Sequence, residues 1–107
     1  MIAVDDPWGR RIVMSRATWE THVISQRPWM AAYLPSIERA IRSPPWINQD
    51  GDYQERECFY AERVLPHFPH LLLKLVIELV DESHGVVITA YSLKRQKPSE
   101  ARKWPRL

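Results

Sequence analysis

Cysteine occurs once, as Cys58, so no internal disulfide can form. Glycine is also scarce, with three residues against nine prolines. That ratio predicts stiff, well-defined connections rather than flexible linkers. No long apolar run is present. The longest lies within Leu71–Val80 and carries Lys74 and Glu78, too short and too charged for a membrane span. Asp5, Asp6, Pro7 and Gly9 interrupt any apolar run near the N-terminus. This pattern fits a cytoplasmic chain, or one exported without a cleaved signal. Charge of one sign does not dominate, because the net charge is only +2.

What is present is an ordinary globular composition, 45% hydrophobic and 26% charged over 107 residues. The length predicts a single domain spanning 1–107, with its core over about residues 11–93. The charge is placed unevenly. Residues 94–107 hold six cations against Glu100 alone, a net of +5, which leaves the remainder at −3. A basic end on a mildly acidic body suits a polyanion such as RNA, although such an end is more often a solvated tail.

Patterning predicts an α+β fold, with two N-terminal helices packed on an antiparallel sheet of about four strands. Residues 1–10 read as irregular and Arg11–Met14 as a short strand. Ser15 is a good N-cap for a helix over about 16–26, with Trp19 and Val23 on one face and a stop before Pro28. A second helix carries Ile37, Ala40 and Ile41 and ends at Ser43-Pro44-Pro45. Trp46–Asn48 and, less regularly, Glu57–Glu62 read as strands. The strongest signal is the hairpin of Leu71–Val80 and Val86–Leu93. Its apolar faces, Leu73, Leu75, Ile77 and Leu79 against Val86, Ile88 and Ala90, coincide if an even number of residues closes the turn. The opposite face then carries Lys74, Val76, Glu78, Val87, Thr89 and Tyr91, with Lys74 opposite Tyr91.

Several residues invite functional readings that their surroundings weaken. His67 and His70 have a spacing compatible with metal ligands, but no cysteine or acid pair accompanies them and they read as loop residues. No other arrangement resembles a metal site, so no metal and no cofactor are expected. Of the five tryptophans, Trp19 reads as core, and Trp29, Trp46 and Trp104 as residues that either stack on bases or pack at element ends.

The segment Ser15-Arg16-Ala17-Thr18-Trp19-Glu20-Thr21-His22-Val23-Ile24, followed by Arg27-Pro28, resembles the first-helix motif of a phage-borne nuclease family. Ala40-Ile41-Arg42-Ser43-Pro44, the apolar strand 71–80, Val86-Val87-Ile88-Thr89-Ala90-Tyr91 and a basic stretch ending near Trp104 match in order. The set is similar to the barnase–EndoU–colicin–RelE-like superfamily over about residues 12–104. Where that pattern has histidine before the proline, this chain has Arg27. Arginine cannot act as a base near neutral pH but can hold a phosphate.

The resemblance implies a metal-independent endoribonuclease, a toxin-like or processing module that cleaves RNA by attack of its 2′-hydroxyl. It implies His22 as general acid or base, Arg27 and Lys74 on the phosphate, and Thr89 and Tyr91 as positioning groups. Arg56, Tyr60, Lys94 and Trp104 become candidate substrate contacts. RNA is the expected partner, with an antitoxin or immunity protein as a further one. The alternative is a catalytically impaired RNA- or protein-binding module of the same fold, motivated by Arg27. Taken without the resemblance, His22 would more often be structural, Arg27 a surface ion-pair residue, and Thr89 and Tyr91 ordinary strand residues.

Overall fold

The computed structural model describes residues 1–105. The chain opens with two strands, β1 (Ile2–Asp5) and β2 (Arg11–Met14), so the expected irregular start is in fact a hairpin. Its turn is built by Asp6, whose carboxylate accepts the amides of Trp8 (2.9 Å) and Arg10 (2.8 Å). Gly9 takes the left-handed conformation (φ 78°) that the turn requires.

Ser15 then caps the first helix, accepting the Thr18 amide at 3.1 Å. This helix, α1, is a single α-turn over Arg16–Thr18 that continues directly as a π-helix over Trp19–Ile24. Thr21 and Ser25 both return their hydroxyls to carbonyls four residues back (2.6 and 2.5 Å), a local bonding pattern that bends helices. A 3-10 segment over Pro28–Tyr33 leads into α2 (Leu34–Arg42), which stops before Pro44-Pro45 as its sequence requires.

Four strands follow as an antiparallel meander: β3 (Trp46–Gln49), β4 (Arg56–Glu62), β5 (Leu72–Asp81) and β6 (His84–Leu93). The complete sheet has seven strands in the order β1-β2-β6-β5-β4-β3-β7. The expectation of about four antiparallel strands is corrected in two ways. The β1–β2 hairpin joins the meander through a parallel β2–β6 pairing. At the other edge β7 (Ala101–Trp104) pairs antiparallel with β3.

One face of this sheet is covered by helix. Ile12 and Met14, Ile47, Phe59 and Ala61, Leu73, Leu75 and Ile77, and Val87 and Ala90 share one buried cluster with Trp19, Val23, Met30, Tyr33, Ile37, Ala40 and Ile41. Each of the larger aliphatic side chains contributes roughly 1.5–3 kcal/mol by leaving water. Ile2 and Val4 belong to the same cluster, so the core begins at β1 and not at residue 11. Register follows the expected Lys74↔Tyr91 and Leu75↔Ala90 pairs, but Ile77 faces Val87. A bulge at Ile88 absorbs one residue, so Val87 replaces Val86 and Ile88 on the core side.

The basic C-terminal stretch is no free tail. Residues 94–100 cross the helix-free face of the sheet and deliver β7 to the far edge. Four strand spacings separate β6 from β7, about 19 Å, and this strap covers them with a turn built in, the Glu100 amide donating to the Lys97 carbonyl at 3.1 Å. It lies against the β3–β4 turn, where a Cβ on Gly51 would collide with the Ser99 side chain.

Candidate functional site

β2 pairs with β6 only over residues 84–86 of β6. Beyond that point the edge of β6 is met by α1, and a hydrogen bond joins the two. The Thr89 hydroxyl donates to the His22 carbonyl at 3.1 Å, satisfying one of the carbonyls left free at the end of a helix. His22 itself is exposed. One turn later the Arg27 guanidinium stands 5.5 Å from the centre of the Tyr91 ring, a distance favourable for cation–π attraction. Four of the five expected catalytic residues, His22, Arg27, Thr89 and Tyr91, therefore lie along one edge of the sheet, His22 through its backbone carbonyl and Arg27 and Tyr91 through their side chains. Thr89 has its proton committed to the helix carbonyl, so it fixes α1 on β6.

Lys74 is placed differently. It is 1% exposed, and its ammonium donates to Glu100 at 2.6 Å. Burial disfavours its charged form, but the Glu100 hydrogen bond outweighs burial and holds the proton more tightly than in an ordinary lysine. The partner that a charged residue within an apolar strand requires is thus a carboxylate of the strap. Tyr60 is fully buried and donates to the same carboxylate at 2.7 Å. Burial, reinforced by Glu100, pushes its phenol well above the usual range. Asn48 adds a third contact at 3.2 Å and also donates to Gln96 at 3.0 Å. While the strap is in place, neither Lys74 nor Tyr60 can touch a substrate, and both sequence-derived roles are corrected accordingly.

The other expected contacts are scattered. Arg56 pairs with Glu78 (3.4 Å) and lies over the Tyr53 ring at 4.1 Å. Lys94 is exposed at the start of the strap. Trp104 is half-buried on β7 and packs on the core cluster, so it is not free to stack on a base. Cys58 is buried, and burial pushes its thiol up to about 12, far from a nucleophile's range.

Sequence reasoning missed a continuous row across the helix-free face. Tyr91, Lys74, Tyr60 and Trp46 are direct cross-strand neighbours on β6, β5, β4 and β3. The Lys74 ammonium lies 5.6 Å from both tyrosine rings, and Tyr60 and Trp46 stack with centroids 5.3 Å apart and planes at 13°. Arg27 closes one end of the row and Arg102, 5.9 Å from the Trp46 ring, the other. Only the Lys74–Tyr91 pair was legible before the meander register was known.

At the opposite end of the sheet lies a cleft of ≈ 320 Å³ lined by Trp8, Arg10, Glu57, Glu82 and Lys103. Its charges are engaged with one another. Glu57 accepts from Arg10 at 2.6 Å and Lys103 at 2.7 Å, and Arg10 also binds Asp6 at 2.7 Å. Burial raises the Glu57 carboxyl, but the two cations outweigh it and hold it below its ordinary value. This network joins the β1–β2 turn, β4 and β7. No imidazole lines the cleft.

Among the described residues, no group of three or more His, Cys, Asp or Glu side chains is placed to hold a metal ion. Among the same residues no helix is long and apolar enough to cross a membrane. A comparison with protein-family models, curated proteins and solved structures finds no match to this chain.

Proposed function

We propose that the protein is an endoribonuclease that binds the RNA backbone at the α1–β6 edge and cleaves it without a metal ion. The observation that carries this reading is the docking of the His22 backbone on β6 through the Thr89 hydroxyl, beside the edge where the Arg27 guanidinium meets the Tyr91 ring. His22 also lies within a π-helix, a rare local geometry that recurs at functional sites. The reading is supported by the order of two helices followed by the β3–β6 meander, which is the order expected from the resemblance to barnase–EndoU–colicin–RelE-like nucleases.

RNA supplies its own nucleophile, so the protein's task is proton transfer and charge stabilisation. The 2′-oxygen attacks phosphorus as its proton passes to His22. The bond from phosphorus to the 5′-oxygen breaks, leaving a 2′,3′-cyclic phosphate, and the 5′-oxygen takes its proton from solvent water, since Arg27 cannot supply one. Arg27 neutralises charge on the phosphoryl oxygens, and the Tyr91 hydroxyl orients them. One imidazole at the right pH accelerates such a step by about 10²–10⁴.

A binding-only module of the same fold is the second reading. It is favoured by Arg27, which stands where a second proton-transfer group would be needed and cannot give up its proton. RNA cleavage in excess chelator by the intact chain, His22→Ala and Arg27→Ala separates the two. The enzyme reading expects cleavage that falls at least 100-fold with His22→Ala. Salt-sensitive RNA binding with no product from any of the three proteins leaves the binding module.

A further inference from the structure

The Glu100 carboxylate is held by three donors from three neighbouring strands: Asn48 on β3, Tyr60 on β4 and Lys74 on β5. One oxygen takes Tyr60 and Asn48, and the other takes Lys74. A cradle of this composition fits the non-bridging oxygens of a phosphodiester as well as it fits a carboxylate. It sits midway along the row that runs from Arg27 to Arg102, in which three cations are interspersed with three aromatic rings. Interleaved charge and aromatic faces are what single-stranded nucleic acid binds, by backbone attraction and base stacking. Glu100 and the strap interrupt that row, leaving accessible only its two ends.

We propose that the Asn48–Tyr60–Lys74 cradle is a phosphate site for single-stranded RNA, occupied in the closed form by the chain's own Glu100. It is uncovered when the strap and β7 lift away together. The choice of RNA rests on the function proposed above, whereas the anion chemistry of the cradle does not.

Two observations point beyond a purely structural ion pair. Asn48 has no exposed surface, yet its Oδ1 has no partner among the described residues. Glu100 therefore leaves the cradle with an unused acceptor, and a ribose hydroxyl beside a phosphate supplies the matching donor. Beyond the cradle, the cover is anchored chiefly by Trp104 and the Lys103–Glu57 pair. Residues 94–99 are all exposed, and β7 pairs on one side only, with a register break at Ile47/Asn48. Because Glu100 directly precedes the first residue of β7, withdrawing its carboxylate from the cradle pulls on that strand, so opening releases β7 as one unit. The strap's own Lys94, Arg95 and Lys97 would then remain close to a bound polyanion.

The test uses the full chain with Glu100→Ala, Glu100→Gln and Glu100→Ala/Lys74→Met, and inorganic phosphate as the probe, titrated by calorimetry. Removing Glu100 is expected to tighten phosphate binding at least tenfold. The second substitution is expected to abolish that gain. Folded variants at Glu100 that bind phosphate no better than the unmodified protein overturn the proposal. If the Glu100 variants do not fold, amide exchange on the unmodified chain decides. Residues 101–104 exchanging at least 100-fold faster than β4 and β5, and faster still with added phosphate, support the opening. Exchange of β7 together with β4 and β5 overturns it. A short single-stranded RNA titrated in parallel separates the two ideas. Phosphate gain without RNA binding by any variant leaves the cradle standing and removes RNA as its ligand.

Discussion

The ion network around Glu57 makes a sharp prediction for Glu57→Gln. The Glu57 side chain is 1% exposed and bridges Arg10, from the β1–β2 turn, to Lys103, on β7. It thus ties both outer regions of the sheet to β4. Breaking a buried pair by removing one partner costs about 3–5 kcal/mol. Arg10 keeps Asp6 as a partner, and Lys103 is 40% exposed and rehydrates readily, so the loss belongs at the lower end, about 3 kcal/mol. At about 2.1 cal/mol/K per residue this lowers Tm by about 13 °C. The sign with pH is equally definite. The folded-state carboxyl titrates below its ordinary value of 4.5, so its stabilisation is complete above that value and is lost as pH falls through the folded value. Urea unfolding of both proteins at pH 7 and in acid reads this directly. A difference near 3 kcal/mol at pH 7 that shrinks on acidification is expected. A Glu57→Gln protein as stable as the parent at pH 7, or a difference that grows in acid, refutes the reasoning.

Two other perturbations test the helix–strand junction and the covered face. Thr89→Val removes the hydrogen bond to the His22 carbonyl and should lower stability by about 1 kcal/mol. It should also reduce kcat on RNA with KM little changed, while Thr89→Ser restores both; a variant with full kcat would show that the junction does not position His22. Cys58, with its thiol pushed up to about 12 beneath the strap, should resist alkylation in the native protein at pH 8 and react fully in denaturant. Rapid labelling under native conditions would mean that the covered face is open to solvent.

Local chemistry was legible in the sequence wherever a few neighbouring residues decide it. Ser15 caps its helix, Trp19 and Val23 turn inward, Pro44-Pro45 ends α2, and Lys74 faces Tyr91. What could not be read depends on contacts distant along the chain. β1 became a strand because β2 pairs in parallel with β6 some 70 residues later. The residues 94–107 looked like a tail because nothing local reveals that Glu100 belongs under Tyr60 and Lys74. The bulge at Ile88 inverted one stretch of the hairpin because a period-2 pattern has no means of registering an inserted residue.

The edge residues fared unevenly for the same reason. A histidine on the first helix and an arginine just past its end were recognisable as candidates. Their encounter with Thr89 and Tyr91 was supplied only by the way α1 takes over the edge of β6 where β2 ends. Lys74 was correctly singled out as a charge needing a partner, but its carboxylate lay in the segment whose path was least readable.

The most direct test of the account is the chemistry of the cut end. RNA incubated with the purified chain in excess chelator should accumulate fragments ending in a 2′,3′-cyclic phosphate, and His22→Ala should make them at least 100-fold more slowly. Fragments ending in a 3′-hydroxyl, or the same cyclic ends formed equally fast without the imidazole, would contradict it.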